Sequence, residues 1–260
     1  MVEFQDADLR QSRFHNVHLG GTQFRHVDLS EAEFRGARMQ AVVMRGVEVV
    51  DVDIEGEIRG LTVNGVEVSE FVEAELDRRQ PDRKLMRPTD ADGFRRAWEA
   101  LQALWDGTVE RARSRPPEQL HASVGGEWSF IETLRHLIFV SDCWVLRAVL
   151  GDPAPWHALS LPWDEMPQAP GVPRDRAVRP SLDEVLAVRA DRRARVRAVI
   201  WEQTDESLDR TLEPVEGPGW PEPYAFPLRE CLQVVINEEY MHRLFAERDL
   251  AALPEQAVGG

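Results

Sequence analysis

From Phe4 to Ile54 a large apolar residue recurs at every fifth position: Phe4, Leu9, Phe14, Leu19, Phe24, Leu29, Phe34, Met39, Met44, Val49 and Ile54. A period of five belongs neither to a helix, whose faces repeat every 3.6 residues, nor to a strand, whose faces repeat every two. Two places before most of these stands a small or β-branched residue: Ala7, Ser12, Val17, Thr22, Val27, Ala32, Ala37, Val42, Val47 and Val52. Large and small inward positions alternating with polar ones suit a solenoid, in which a repeat too short to bury its own side chains stacks on its neighbours. The expected result is a stack of coils around a continuous core.

The wording of the repeats, as in ADLRQ, VDLSE and AEFRG, resembles the pentapeptide-repeat family. That resemblance implies a right-handed, four-sided β-helix with about four repeats per coil, hence roughly two to three coils over residues 1–57. His15, His18 and His26 fall on outward positions and carry no assigned role. LTVNGVEV follows, two alternating half-strands around Asn64-Gly65, the signal for a type I′ hairpin that would cover the open end of the solenoid. Ser69 to Arg79 reads as a short amphipathic helix with Phe71, Val72 and Leu76 on one side, stopped near Pro81, and residues 80–88 read as a linker. Residues 58–87 thus form a connecting segment.

Beyond it the period changes to that of helices. Asp90 caps a first helix whose stripe runs Phe94, Trp98, Leu101, Trp105, Val109, Ala112 and ends at Pro116-Pro117. A capping box, Ser129 with Glu132, opens a second that reaches about Leu150, apolar on nearly every side and so destined for the middle of a core. Another box, Ser181 with Glu184, opens a third to about Trp201, and its run of Arg189, Arg192, Arg193, Arg195 and Arg197 marks it as the most solvated of the four. The fourth starts after Phe226, with Pro227 in its first turn, and ends near Leu250. Long crossovers, Gly151 to Pro180 and Thr204 to Tyr224, permit the second and third helices to run parallel.

Composition narrows the function classes. With 46 acidic against 31 basic residues, the net charge of -15 disfavours a surface that must neutralise phosphates, so no nucleic-acid partner is expected. The start has no leader pattern and no stretch is apolar enough to span a bilayer, which gives the expectation of a cytoplasmic protein without a membrane role. Cys143 and Cys231 lack C-x-x-C spacing and read as buried small hydrophobes. If the second and fourth helices are antiparallel, their thiols lie near each other.

The chemistry concentrates in the fourth helix, where the apolar stripe Cys231, Val235, Glu238, His242, Phe245 is interrupted by an acid and an imidazole. His136 lies in the equally apolar run LRHLIFVSDCWVL. A carboxylate and an imidazole at i and i+4 can ligate one ion, with a third ligand from a facing helix and positions left open. Glu238, His242 and His136 supply that set, with Glu239 as the competing carboxylate. His121 and His157 read as loop residues, and Trp128 as a packing anchor beside the Ser129 cap. No Ser-His-Asp or activated-cysteine arrangement is visible.

EWSFIETLRHLIFVSD and NEEYMHRLFAERDL resemble the two signatures of the DinB-like family, over about Pro88 to Ala252. The family's first metal histidine falls on His136 and its H-x-x-x-H pair on Glu238 and His242, so glutamate replaces the middle histidine. The resemblance implies an up-down-down-up four-helix bundle. The fold class is then α+β multidomain: a β-solenoid at 1–57, the bundle at 88–252 and a tail at 253–260. It also implies a divalent metal, zinc or nickel, with iron or manganese as alternatives for a site made harder by the carboxylate. It implies S-transfer or isomerase chemistry with a low-molecular-weight thiol such as mycothiol acting on a small molecule. The alternative is a metal-stabilised scaffold, sensor or protein-interaction module, in which a homodimer or protein partner uses the solenoid's regular face.

Overall fold

The computed structural model describes residues 2–254, so the expected tail lies outside the described residues from position 255 onward. The chain divides into two compact units, Met1–Gly56 and Glu57–Gly260.

In the first unit the period of five is a property of the backbone. Each position two residues after a large apolar one has a positive φ: Asp6, Gln11, Asn16, Gly21, His26, Glu31, Gly36, Ala41, Gly46, Asp51 and Gly56. Left-handed backbone at the third residue of a four-residue turn is the mark of a type II turn. Three such turns close with a hydrogen bond, from the amides of Ser12, Thr22 and Ala32 to the carbonyls of Leu9, Leu19 and Leu29. Among the described residues of this unit no strand is present. The expected continuous core is not formed either, since every large residue of the column is exposed, Phe24 to 60%. The physical reason is that a turn closes within its own repeat, whereas burial of the column needs another coil against it.

The second unit is mostly helical. The hairpin pairs β1, Thr62–Val63, with β2, Val66–Glu67, across Asn64 and Gly65, both at positive φ as the type I′ turn requires. Helix α1, Ser69–Arg79, follows, and Phe71 on it is exposed. The segment expected to be a linker is instead a 3-10 helix, Pro81–Met86, packed on α1, α2 and α6. Met86 is buried, Arg83 and Arg87 pair with Glu73 and Asp77, and Gln233 donates to the Met86 carbonyl at 2.7 Å. Pairings with acids six to fourteen residues away gave no local sequence signal.

Four long helices carry the core: α2, Ala91–Arg113; α3, Phe130–Ser141; α4, Leu182–Trp201; and α6, Leu228–Ala252. Short α5, Asp205–Leu208, lies between the last two. The caps are where side-chain chemistry places them. Asp90 accepts from the Gly93 amide, and Ser129 with Glu132 and Ser181 with Glu184 close reciprocal capping boxes. Pro227 stands just outside α6, as its cap, and not within its first turn. Helices α2 and α3 each pack on both α4 and α6, and every residue of α3 is buried. Phe94, Trp98, Leu101 and Trp105 fill the centre from α2, and Val196, Val199 and Ile200 from α4.

Beyond Ser141 the second long helix departs from the expected uninterrupted α-helix and continues as a π-helix, Asp142–Val149. The wider turn coincides with the point where two buried charged side chains, Asp142 and Arg147, leave the helix axis for the crossovers. Both cysteines are buried and free. They belong to separate apolar clusters, Cys143 with Phe139 and Met166, and Cys231 with the main core.

Candidate metal centre

The Ser129–Glu132 capping box fixes where α3 begins, and hence that His136, in its second turn, points into the unit. The imidazole is buried, and its Nδ1 lies 3.0 Å from the Leu161 carbonyl. A carbonyl only accepts, so Nδ1 carries the proton and Nε2 turns to α6 with a free lone pair. There Glu238 and His242, one turn apart, present their ends to it. Glu238 Oε2 is 3.1 Å from His242 Nε2 and 3.6 Å from His136 Nε2. One ligand atom from each of the three side chains lies within 4.8 Å of the others, the geometry of a group able to hold an ion.

Electrostatics follow from burial. Desolvation opposes ionisation of Glu238, but its contacts with His136 and His242 outweigh it and hold the carboxyl at about 2. Burial pushes the His136 imidazole below its usual range, against the pull of Glu238, which keeps it neutral and a donor of electrons. Access is graded: the side chains of His136, His242 and Glu238 are 8%, 19% and 36% exposed, so the cluster opens on its carboxylate side.

Aromatic rings wall the rest. Trp128 lies parallel to His242 at 5.9 Å and tilts over His136 at 4.6 Å, while Phe139 stands 6.1 Å from His136 and Phe245 5.9 Å from His242. Trp128 is therefore more than an anchor for the cap. The one clue in the sequence was its place immediately before the capping box that also sets His136.

Glu239, the competing carboxylate, is committed elsewhere. It is buried against Arg189, which donates to both of its oxygens at 3.0 and 2.8 Å and lies 5.2 Å over the Trp105 ring. This corrects the reading of the arginine run as a solvated face. Arg189 is buried, and Arg192 donates at 2.6 Å to the fully buried Asp142, which also accepts from Ser160 Oγ at 2.6 Å. Arg195 and Arg197 remain exposed. A run of one residue type shows that charge is present but not which members meet an acid about fifty residues away.

The other histidines stay outside the cluster. His157 Nδ1 accepts from the Leu159 amide, His121 sits in a 3-10 turn, and His15, His18 and His26 are exposed. Among the described residues the His136, Glu238, His242 group is the one found with metal-ligand geometry, and no helix is long and apolar enough to cross a membrane.

The pentapeptide-repeat family matches in 8 copies over residues 3–46. No curated protein and no solved structure matches the chain. The DinB superfamily matches residues 94–246, which take in α3, α4, most of α2 and α6, the aromatic walls and all three side chains of the cluster, and the chain belongs to that superfamily.

Proposed function

We propose that His136, Glu238 and His242 hold a divalent metal, and that the protein is a metal-dependent transferase or isomerase working with a low-molecular-weight thiol, for which mycothiol is the analogue to test first. One observation carries this reading: three donor atoms converge within 4.8 Å while the cluster stays open on its Glu238 side. The donor set fits such an ion. Two imidazole nitrogens and one carboxylate oxygen are the 2-His-1-carboxylate combination, and Glu238 pairs with these imidazoles, with no arginine claiming it among the described residues. Zinc or nickel suits the imidazoles, and iron or manganese the carboxylate.

A divalent ion bound there supplies the positive charge that favours thiolate over thiol at neutral pH. The chain's own groups do the rest. Leu161 fixes the His136 tautomer, Glu238 contributes the negative charge that keeps the site selective for cations, and Trp128, Phe139 and Phe245 shield the ring faces from water. Neither cysteine competes as nucleophile, because burial pushes Cys143 well above the usual thiol range and Cys231 up to about 12.

With this function go an architecture and a setting: a segment of pentapeptide-repeat turns at 1–57, a connecting segment at 58–87, and an up-down-down-up four-helix bundle at 88–252, in the cytoplasm. The left-handed residue at every fifth position supports the first, and the packing of α2 and α3 each on α4 and α6 supports the bundle. The net charge of -15 favours a small-molecule substrate over nucleic acid or an anionic membrane. A second reading, a metal-stabilised scaffold or sensor that meets a homodimer mate or other protein, is favoured by the exposed apolar column of residues 4–54.

Metal analysis of the purified protein beside His136→Ala and His242→Ala tests the site. Both substitutions are expected to empty it and to remove the stabilisation that a bound ion adds, about 2.7 kcal/mol at one hundred times Kd. Equal metal content in all three proteins would refute it. Conjugation of a generic electrophile by small thiols, abolished by chelation, supports the enzyme; metal binding without turnover across several thiols favours the scaffold.

A further inference from the structure

The first crossover reaches the site through one backbone carbonyl, and the residue that holds this carbonyl in place is the immediate neighbour of a site histidine. Arg135 is fully buried, and its guanidinium donates to three main-chain carbonyls: Leu159 at 2.9 Å, Val178 at 3.2 Å and Asp175 at 2.7 Å. Its own carbonyl accepts from the Leu161 amide at 3.2 Å. The Leu161 carbonyl in turn accepts from His136 Nδ1. Side chain and main chain of one residue therefore pin the crossover on both sides of the peptide that orients His136. A buried guanidinium is tolerated only where its donors are satisfied, so the three carbonyls and Arg135 depend on each other.

We propose that Arg135 is a positioning residue for the metal centre: it sets the crossover so that the Leu161 carbonyl locks His136 as the Nδ1–H tautomer, with Nε2 facing Glu238 and His242. Outer partners of a ligand histidine orient the ring, and their loss costs about 10–100-fold in metal affinity. The inference rests on the metal reading of the cluster.

Arg147 provides the control. It too is fully buried and donates to crossover carbonyls, those of Pro153, Val215 and Gly217, yet none of these bonds leads to the cluster. The experiment uses the full chain, 15N-labelled and metal-free at neutral pH, as wild type, Arg135→Gln and Arg147→Gln. Long-range 1H–15N spectra read the His136 tautomer, and competition of zinc against a chromophoric chelator reads affinity. The wild type is expected to show a single Nδ1–H tautomer. Arg135→Gln should show a mixture and bind zinc about 10–100-fold more weakly, whereas Arg147→Gln should lose stability with tautomer and affinity unchanged. An Nε2–H tautomer in the wild type overturns the proposal. So does an Arg135→Gln protein that keeps both readouts, or an Arg147→Gln protein that shifts both equally. If Arg135→Gln does not fold, Arg135→Lys, which keeps the charge but cannot span three carbonyls, is measured in the same way. Failure of the wild type to bind zinc would sink the metal reading, while the tautomer comparison would still decide the role of Arg135.

Discussion

Residues 2–56 and the long helices are both periodic in sequence, but only the helical period ends in burial. Phe24 stands near the middle of its column and is 60% exposed, while Phe94, on the stripe of α2, is fully buried. The difference lies in what each period asks of the chain. A turn with a left-handed residue closes within four residues, so the five-residue rhythm is satisfied repeat by repeat. An amphipathic helix leaves its stripe to be covered by another helix, and α2, α3, α4 and α6 cover one another. Local geometry and burial are thus separable achievements, and the second brings polar groups into the interior that must then find partners.

Four substitutions sharpen that contrast. All eight tryptophans lie between Trp98 and Trp220, so tryptophan fluorescence follows unfolding of the helical unit alone. Arg189→Ala leaves the Glu239 carboxylate buried without its partner and should lower urea stability by about 3–5 kcal/mol; a loss below 1 kcal/mol would mean that water reaches the pair. Next, Phe94→Ala should cost about 3–5 kcal/mol by that fluorescence, and Phe24→Ala no more than about 0.5 kcal/mol, read from hydrogen exchange of residues 2–56, on which no tryptophan reports. Equal losses would show that the apolar column is buried in solution after all, and the contrast between the two regions would fall. Smallest is Ala41→Gly. Ala41 holds a left-handed backbone at φ 54°, which costs an L-residue about 1–2 kcal/mol that glycine is spared, offset by the greater freedom of glycine in the unfolded chain. A net gain below about 1 kcal/mol is expected, read from hydrogen exchange of residues 2–56, and faster exchange in the variant would count against the turn.

Much of the helical unit was legible because its signals are short-range. The Asp90 cap, the two capping boxes and the Asn64-Gly65 turn each involve residues within four positions of one another, and all are present. The meeting of His136 and His242 with a carboxylate of α6 was legible for a related reason: polar groups on an apolar stripe are carried inward by the helix that bears them. The missed features are contacts between distant residues. These are Arg189 with Glu239, Arg192 with Asp142, the 3-10 helix at Pro81–Met86, and Trp128 over the imidazoles.

By itself the sequence determined the five-residue turn rhythm, the helix starts and the inward faces, since hydrogen bonds and side-chain periodicity within a few residues dictate them. Tertiary structure alone decided which of two adjacent glutamates faces the histidines and which is neutralised by a buried arginine. It also decided which main-chain carbonyl orients His136. Those choices were not in the local pattern because a buried charge takes whatever partner packing brings within about 3 Å, and that partner lies 25 to 50 residues away along the chain.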